Sequence, residues 1–125
     1  MIILENAIVL IVAAIHLFFS YKEFSGRNDP RFYEKFKIVL AKDQDLTQIG
    51  RIIANAATFN ALLGIGLIVS FIAREQGYLL KIYLLVSIII AGIVGGVTLK
   101  PTVAVLQSGP AAIALALILL APGAA

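Results

Sequence analysis

His16 is the only histidine in this 125-residue chain, and it stands in Ile15-His16-Leu17-Phe18-Phe19-Ser20-Tyr21-Lys22-Glu23, the stretch that closes the first long apolar run. An imidazole changes charge near neutrality, and a carboxylate on the same face can complete an acid–base pair with it. His16 and Glu23 are two helical turns apart, so both project from one side of a helix. Ser20 lies on the same stripe, and Glu5 falls within about 20° of it. Ionisable groups on an apolar helix are costly in lipid and are expected to face inward. Two turns separate the two backbones by about 10 Å, so His16 and Glu23 need not touch.

Other polar side chains interrupt the later apolar runs: Asn55, Thr58 and Asn60, then Thr98, then Gln107. Amides there can orient a ligand or donate to a developing negative charge. They can equally join helix to helix, a bond that contributes about 0.6–2 kcal/mol. Both readings stand for Asn60 and Gln107, and His16 is either a site residue or structural glue. Asn55 and Thr58 are expected to be helix-packing residues, Glu23 either a site acid or an interfacial acid beside Lys22 or Arg27, and Glu5 an outer-interface acid. With no cysteine, thiolate metal sites, disulfides and a cysteine nucleophile are excluded. One histidine excludes a His-rich metal site within one copy, so no metal and no cofactor are expected.

The elements that position these residues follow from composition. The chain is 61% hydrophobic, with a mean hydropathy of +1.01, against about 45–50% apolar in soluble domains. A small soluble domain could not bury so much apolar surface. We therefore expect an all-α integral membrane four-helix bundle in one domain, 1–125, with spans at about 2–20, 46–73, 78–99 and 102–121. The N-terminus has no basic region and no small-residue cleavage site follows, so no removable signal peptide is expected.

Residues 24–45 form the polar loop. Ser25-Gly26-Arg27-Asn28-Asp29-Pro30 reads as a turn, with Asp29 and Pro30 opening a helix. Phe32, Phe36, Val39 and Leu40 follow helical spacing, which predicts a short amphipathic helix on the membrane surface or on the end of the bundle. Asp43 or Asp45 can cap the second span. Gly77 suits its C-terminal stop, and Tyr78 and Tyr83 suit an interfacial belt. Ala91, Gly92, Gly95 and Gly96 give the third span a small-residue face for close helix packing, within the bundle or against a second copy in a homodimer. Lys100-Pro101 is a tight break, Gly109-Pro110 an expected kink, and Pro122-Gly123 the end of the fourth span.

Seven of the ten Lys and Arg residues lie between Lys22 and Arg51. They are mixed with acids and lack the motifs of nucleic-acid binding, so no nucleic-acid partner is expected. Loop 24–45 and the Lys100 turn carry the basic excess, against Arg74 and Lys81 at the other end. The positive-inside rule places the loop in the cytoplasm and both termini outside, and the expected location is the bacterial inner membrane. By helical rise, His16 lies about 21 Å along the first span, Asn55 and Asn60 about 10–20 Å into the second, and Gln107 about 8–10 Å into the fourth. Thr98 is within a turn of the same end. The polar residues thus gather in the cytoplasmic half, which predicts a polar pocket opening that way.

These residues resemble a known family. The stretch from Ile15 to Ser25, with His16, Tyr21 and Glu23 in register, is similar to the end of the first helix in the four-helix membrane family catalogued as domain of unknown function 1304. Asn55-Ala56-Ala57-Thr58-Phe59-Asn60-Ala61 keeps both asparagines of that family's second-helix motif. Ala91-Gly92-Ile93-Val94-Gly95 matches its third-helix motif, and Gln107-Ser108-Gly109-Pro110-Ala111 matches the fourth more loosely. The chain departs from the pattern at Ile15, where the family has an acid, at Ala56-Ala57 in place of Gln-Gly, and at Phe59 in place of tyrosine. The resemblance implies the fold and the place of a site, at His16, Tyr21, Glu23, Asn55, Asn60 and Gln107, and carries no activity.

Three functions compete. The first is binding or transport of a small molecule or lipid, with His16 and Glu23 exchanging a proton, Tyr21 and Thr98 beside them, and the amides orienting the ligand. The second is a membrane enzyme with His16 as acid or base. The third is a non-catalytic accessory or assembly subunit.

Overall fold

The computed structural model describes residues 2–36, 38–40 and 45–120. Its regular elements are all helical: α1 (Ile2–Gly26), α2 (Pro30–Lys35), α3 (Leu46–Val69), a 3-10 turn (Arg74–Gln76), α4 (Gly77–Thr98) and α5 (Pro101–Leu120). Four helices are long and apolar enough to cross a membrane: α1, α3, α4 with the 3-10 turn before it, and α5. The fold is the expected four-helix membrane bundle with a short helix between the first two spans.

α1 continues beyond Ser20 to Gly26, since no residue from Tyr21 to Ser25 breaks a helix. Glu23 therefore stays on the helix that carries His16. Asp29 opens α2 by accepting the Arg31 backbone N–H at 3.0 Å, with Pro30 in the first helical position. The expected stripe of Phe32, Phe36, Val39 and Leu40 does not form. α2 stops at Lys35, fewer than two turns, and Val39 beyond it is 92% exposed. The residue that anchors α2 is Tyr33, fully buried, whose hydroxyl donates to the Arg27 carbonyl. Burial pushes that hydroxyl's pKa up. Phe32 and Phe36 are half-buried and stack at 5.1 Å. Of the two acids before α3, Asp45 caps it, accepting the Thr47 N–H at 2.8 Å. Asp43, Lys37, Lys42 and Pro122-Gly123 lie outside the described residues.

The spans form two antiparallel pairs, α1 with α3 and α4 with α5, joined mainly through α1 and α5. Between α1 and α3, Gly50 lies against Arg27 and Asn28 while Gly64 lies against Ala13 and Leu17. Between α4 and α5, a Cβ at Gly92 would come within 2.9 Å of the Gln107 Cβ, one at Gly95 within 2.6 Å of the Val103 Cγ1, and one at Gly96 within 2.6 Å of the Ala104 Cβ. The glycine face of α4 is thus taken up by α5 inside one chain, whereas Ala91 is exposed. The small residues let the two backbones approach closely.

Gly77 does not end the second span. α3 stops at Val69, and Gly77 is the first residue of α4, with φ −60°. Its role is close approach, since any Cβ there would collide with the Ser70 carbonyl oxygen. The left-handed residue of this turn is instead Arg74, at φ 48°. Gly109 and Pro110 lie inside α5, which continues as one helix beyond them. A proline ring clashes with the Cβ of the residue before it in a helix, and Gly109 has none.

The apolar core lies in the half of the bundle near the chain termini. It is built from Val9, Val12 and Ala13 of α1, Leu67 of α3, Leu84, Leu85 and Ile88 of α4, and Ala111, Ala114 and Ile118 of α5. The half facing α2 has a different composition.

Candidate functional site

α1 and α3 meet at a hydrogen-bonded chain of three side chains. The Asn60 amide nitrogen donates to Glu23 Oε2 at 2.8 Å. The Asn60 amide oxygen lies 2.9 Å from His16 Nδ1. An ionised carboxylate only accepts, so the amide must turn its NH2 to Glu23 and its oxygen to His16. His16 Nδ1 then carries a proton and donates it to Asn60. In the neutral ring this leaves Nε2 as a bare lone pair.

His16 is fully buried, and its Nε2 has no hydrogen-bond partner among the described residues. A buried polar atom without a partner is rare and costly. The ring is held from both sides, by Asn60 and by an edge-on contact with Phe19 at 6.4 Å. The arrangement can receive a proton or a donor group at Nε2 without moving the ring. Asn60 fixes the orientation of both ionisable groups but does not pass protons between them, because an amide is not an acid or base in this range.

Glu23 is half-buried and opens on a chamber of about 150 Å³ between α1, α2 and α5. Gln107 lines the same chamber from α5, with Phe19, Phe36 and Lys100. The bundle therefore brings together four of the residues expected from the sequence: His16, Asn60 and Glu23 in one chain of bonds, and Gln107 across the chamber from Glu23.

The others are placed elsewhere. Tyr21 is 68% exposed, because it lies off the His16–Glu23 stripe on the outer face of α1. Asn55 is exposed. At helical pitch it is about 140° around α3 from Asn60, so the two cannot share a face. Thr98 is exposed and returns its hydroxyl to the Val94 carbonyl of its own helix at 2.8 Å, as Thr58 does to Ala54 at 2.9 Å.

At the far end, Glu5 stands in the first turn of α1, at the end of the bundle where an interfacial acid is expected. It is buried and lies 3.6 Å from Lys81 of α4. Lys81 also donates to Asn6 Oδ1 at 3.2 Å and stands over the Phe71 ring at 4.5 Å. The signal in the sequence was Lys81 itself, a lone cation one turn into an apolar helix.

Among the described residues no group of three or more His, Cys, Asp and Glu is placed to hold a metal ion. In comparison with known proteins, the family described as "Protein of unknown function (DUF1304)" matches residues 10–119. That match reaches all four spanning helices, from residue 10 of α1 onward, and includes every residue of the His16 cluster. No curated protein and no solved structure matches the chain.

Proposed function

The chain belongs to the DUF1304 family, and from that premise we propose that it is a small membrane protein that binds, and moves across or within the bilayer, a small molecule or lipid engaged by His16, Glu23 and Gln107. The observation that carries this reading is the fully buried His16, locked by Asn60 with Nε2 unpartnered. A histidine serving only as glue would spend both ring nitrogens on the helices around it. Here one is held and the other has no partner among the described residues. Intramembrane ionisable groups of this kind commonly mark ligand or proton paths.

The end carrying α2 faces the cytoplasm in this reading, because, among the described residues, Lys22, Arg27, Arg31, Lys35, Arg51 and Lys100 lie at that end and only Arg74 and Lys81 at the other. Glu23 and its chamber then open toward the cytoplasm, and His16 lies about two turns deeper.

The test is the melting temperature of the purified protein against a panel of phospholipids, organic acids and amines, with His16→Ala and Asn60→Ala measured beside the wild type. Stabilisation by one class that disappears in His16→Ala, with the unliganded melting point little changed, establishes the site. A large fall in unliganded stability, with no compound acting on either protein, makes the cluster structural and favours the accessory-subunit function. A pH-sensitive dye inside proteoliposomes separates binding from proton-linked transport.

A further inference from the structure

A larger cleft of about 560 Å³ lies beside the Glu23 chamber, between the end of α1, α2 and the α4–α5 turn. The two cavities share Phe19, Lys22, Phe32, Phe36 and Lys100 as a common wall. Four cations line the cleft, Lys22, Arg31, Lys35 and Lys100, against a single acid, Asp29. That acid is already engaged. Arg31 grips both Asp29 carboxylate oxygens, with contacts of 2.9–3.2 Å, and the same guanidinium holds the Asp29 pKa below the ordinary carboxylate range. Among the described residues, Lys22, Lys35 and Lys100 have no carboxylate within ion-pair distance.

Lys100 is pre-oriented. Its ammonium donates to the Lys35 carbonyl at 3.1 Å and stands over the Phe36 ring at 4.7 Å. Lys22 stands over the Phe18 ring at 5.8 Å. An ammonium has three donors, so each lysine keeps hydrogen-bonding capacity for a ligand. Three cations in one cleft with no carboxylate partner among the described residues call for an anion. The cleft sits where the apolar length of α1 gives way to polar residues, the depth of lipid phosphates. Phe18, which forms one wall, is 57% exposed on the side of the helix that lipid would cover.

We propose that this cleft binds the phosphate of an anionic membrane phospholipid, held by Lys22, Lys35 and Lys100, with its acyl chains along Phe18 and its headgroup entering the chamber of Glu23 and Gln107. A soluble phosphate ester would satisfy the lysines equally but has no use for the aromatic wall that opens sideways to the bilayer. The proposal rests on the ligand-binding reading above and assigns its ligand class.

Native mass spectrometry of detergent-purified protein, offered equal amounts of phosphatidylglycerol and phosphatidylcholine, tests it. The wild type is expected to retain phosphatidylglycerol preferentially. Lys22→Met, Lys35→Met and Lys100→Met, which keep the apolar stems, each reduce that preference about fivefold, the effect of one basic residue at an anionic surface. Arg51→Met, at the same end but outside the cleft, leaves it unchanged. An equal loss in Arg51→Met, or equal retention of both lipids, overturns the proposal, since either means diffuse surface charge. Displacement of the lipid by equimolar glycerol phosphate also overturns it, in favour of a soluble ester. His16→Ala is expected to keep the lysine-dependent retention, since the phosphate contacts are untouched, and to lose only the thermal stabilisation that the lipid gives the wild type. If that binding persists while no compound responds to His16, the site at His16 fails and the phosphate site stands.

Discussion

Asn60 and Glu23, one in the middle of α3 and one near the end of α1, are joined by a 2.8 Å hydrogen bond from the amide to the carboxylate. The same amide holds His16. One side chain of α3 therefore holds α1 at two points and fixes both ionisable groups of the cluster.

Asn60→Leu leaves Glu23 and His16 without their shared partner. The expected cost is about 1–3 kcal/mol, the penalty for orphaned buried polar groups, read by denaturation in detergent. Because both bonds converge on Asn60, Asn60→Leu combined with His16→Phe should cost less than the two single changes added together. Strict additivity would show that the bonds do not act as a unit.

Lys81→Met removes the cation that faces buried Glu5. Breaking one side of a buried pair costs about 3–5 kcal/mol in dry interiors, and this pair, near the mouth of the bundle, should fall toward the low end. Glu5→Gln together with Lys81→Met should recover most of the loss. A double variant no better than Lys81→Met would mean that Lys81 acts through Phe71 and Asn6 instead.

Gly77→Ala and Gly66→Ala make a matched pair. At Gly77 the new methyl meets the Ser70 carbonyl, part of the backbone, and overpacking of that kind costs about 1–3 kcal/mol. At Gly66 it meets the end of the Leu84 side chain at 3.0 Å, which can shift. There the helix gains about 0.8–1 kcal/mol from losing a glycine, so the net effect is neutral or stabilising. Thermal melts of the two variants decide it.

Asp29 and Asp45 cap α2 and α3, and the hydrogen bonds of Arg31 and Thr47 lower their pKa values in the folded protein. A depressed carboxylate contributes stability that is complete above its unfolded pKa, about 3.9, and is lost as pH falls through the lower folded value. The melting point should therefore be insensitive to these two acids from neutrality down to about pH 5 and fall below pH 4. Asp29→Asn and Asp45→Asn should flatten that acid limb, because asparagine still caps but does not titrate.

Much of this molecule is legible in its sequence because a membrane imposes the same demand on every span. Each must be a helix of about 20 apolar residues, and runs of that length show without knowledge of their neighbours. Asp29-Pro30 and Asp45 were readable for a similar reason, since a cap acts on residues two or three positions away. The gathering of His16, Asn60, Glu23 and Gln107 at one end followed from helical rise alone.

What required the tertiary structure was which side of each helix faces its neighbours. Asn55 and Asn60 lie at similar depth, and only the rotation of α3 against α1 takes one to His16 and leaves the other exposed. Gly77 fits a helix stop by residue type, but the fold of the turn against Ser70 makes it a helix start. Tyr33 outranks the expected stripe because a six-residue helix is placed by a single anchor. Glu5 meets Lys81 only because the long Lys81 side chain of α4 reaches across that end of the bundle to α1. Depth and length are properties of one helix and can be counted along the chain. Rotation and pairing belong to two helices at once, and packing decides them.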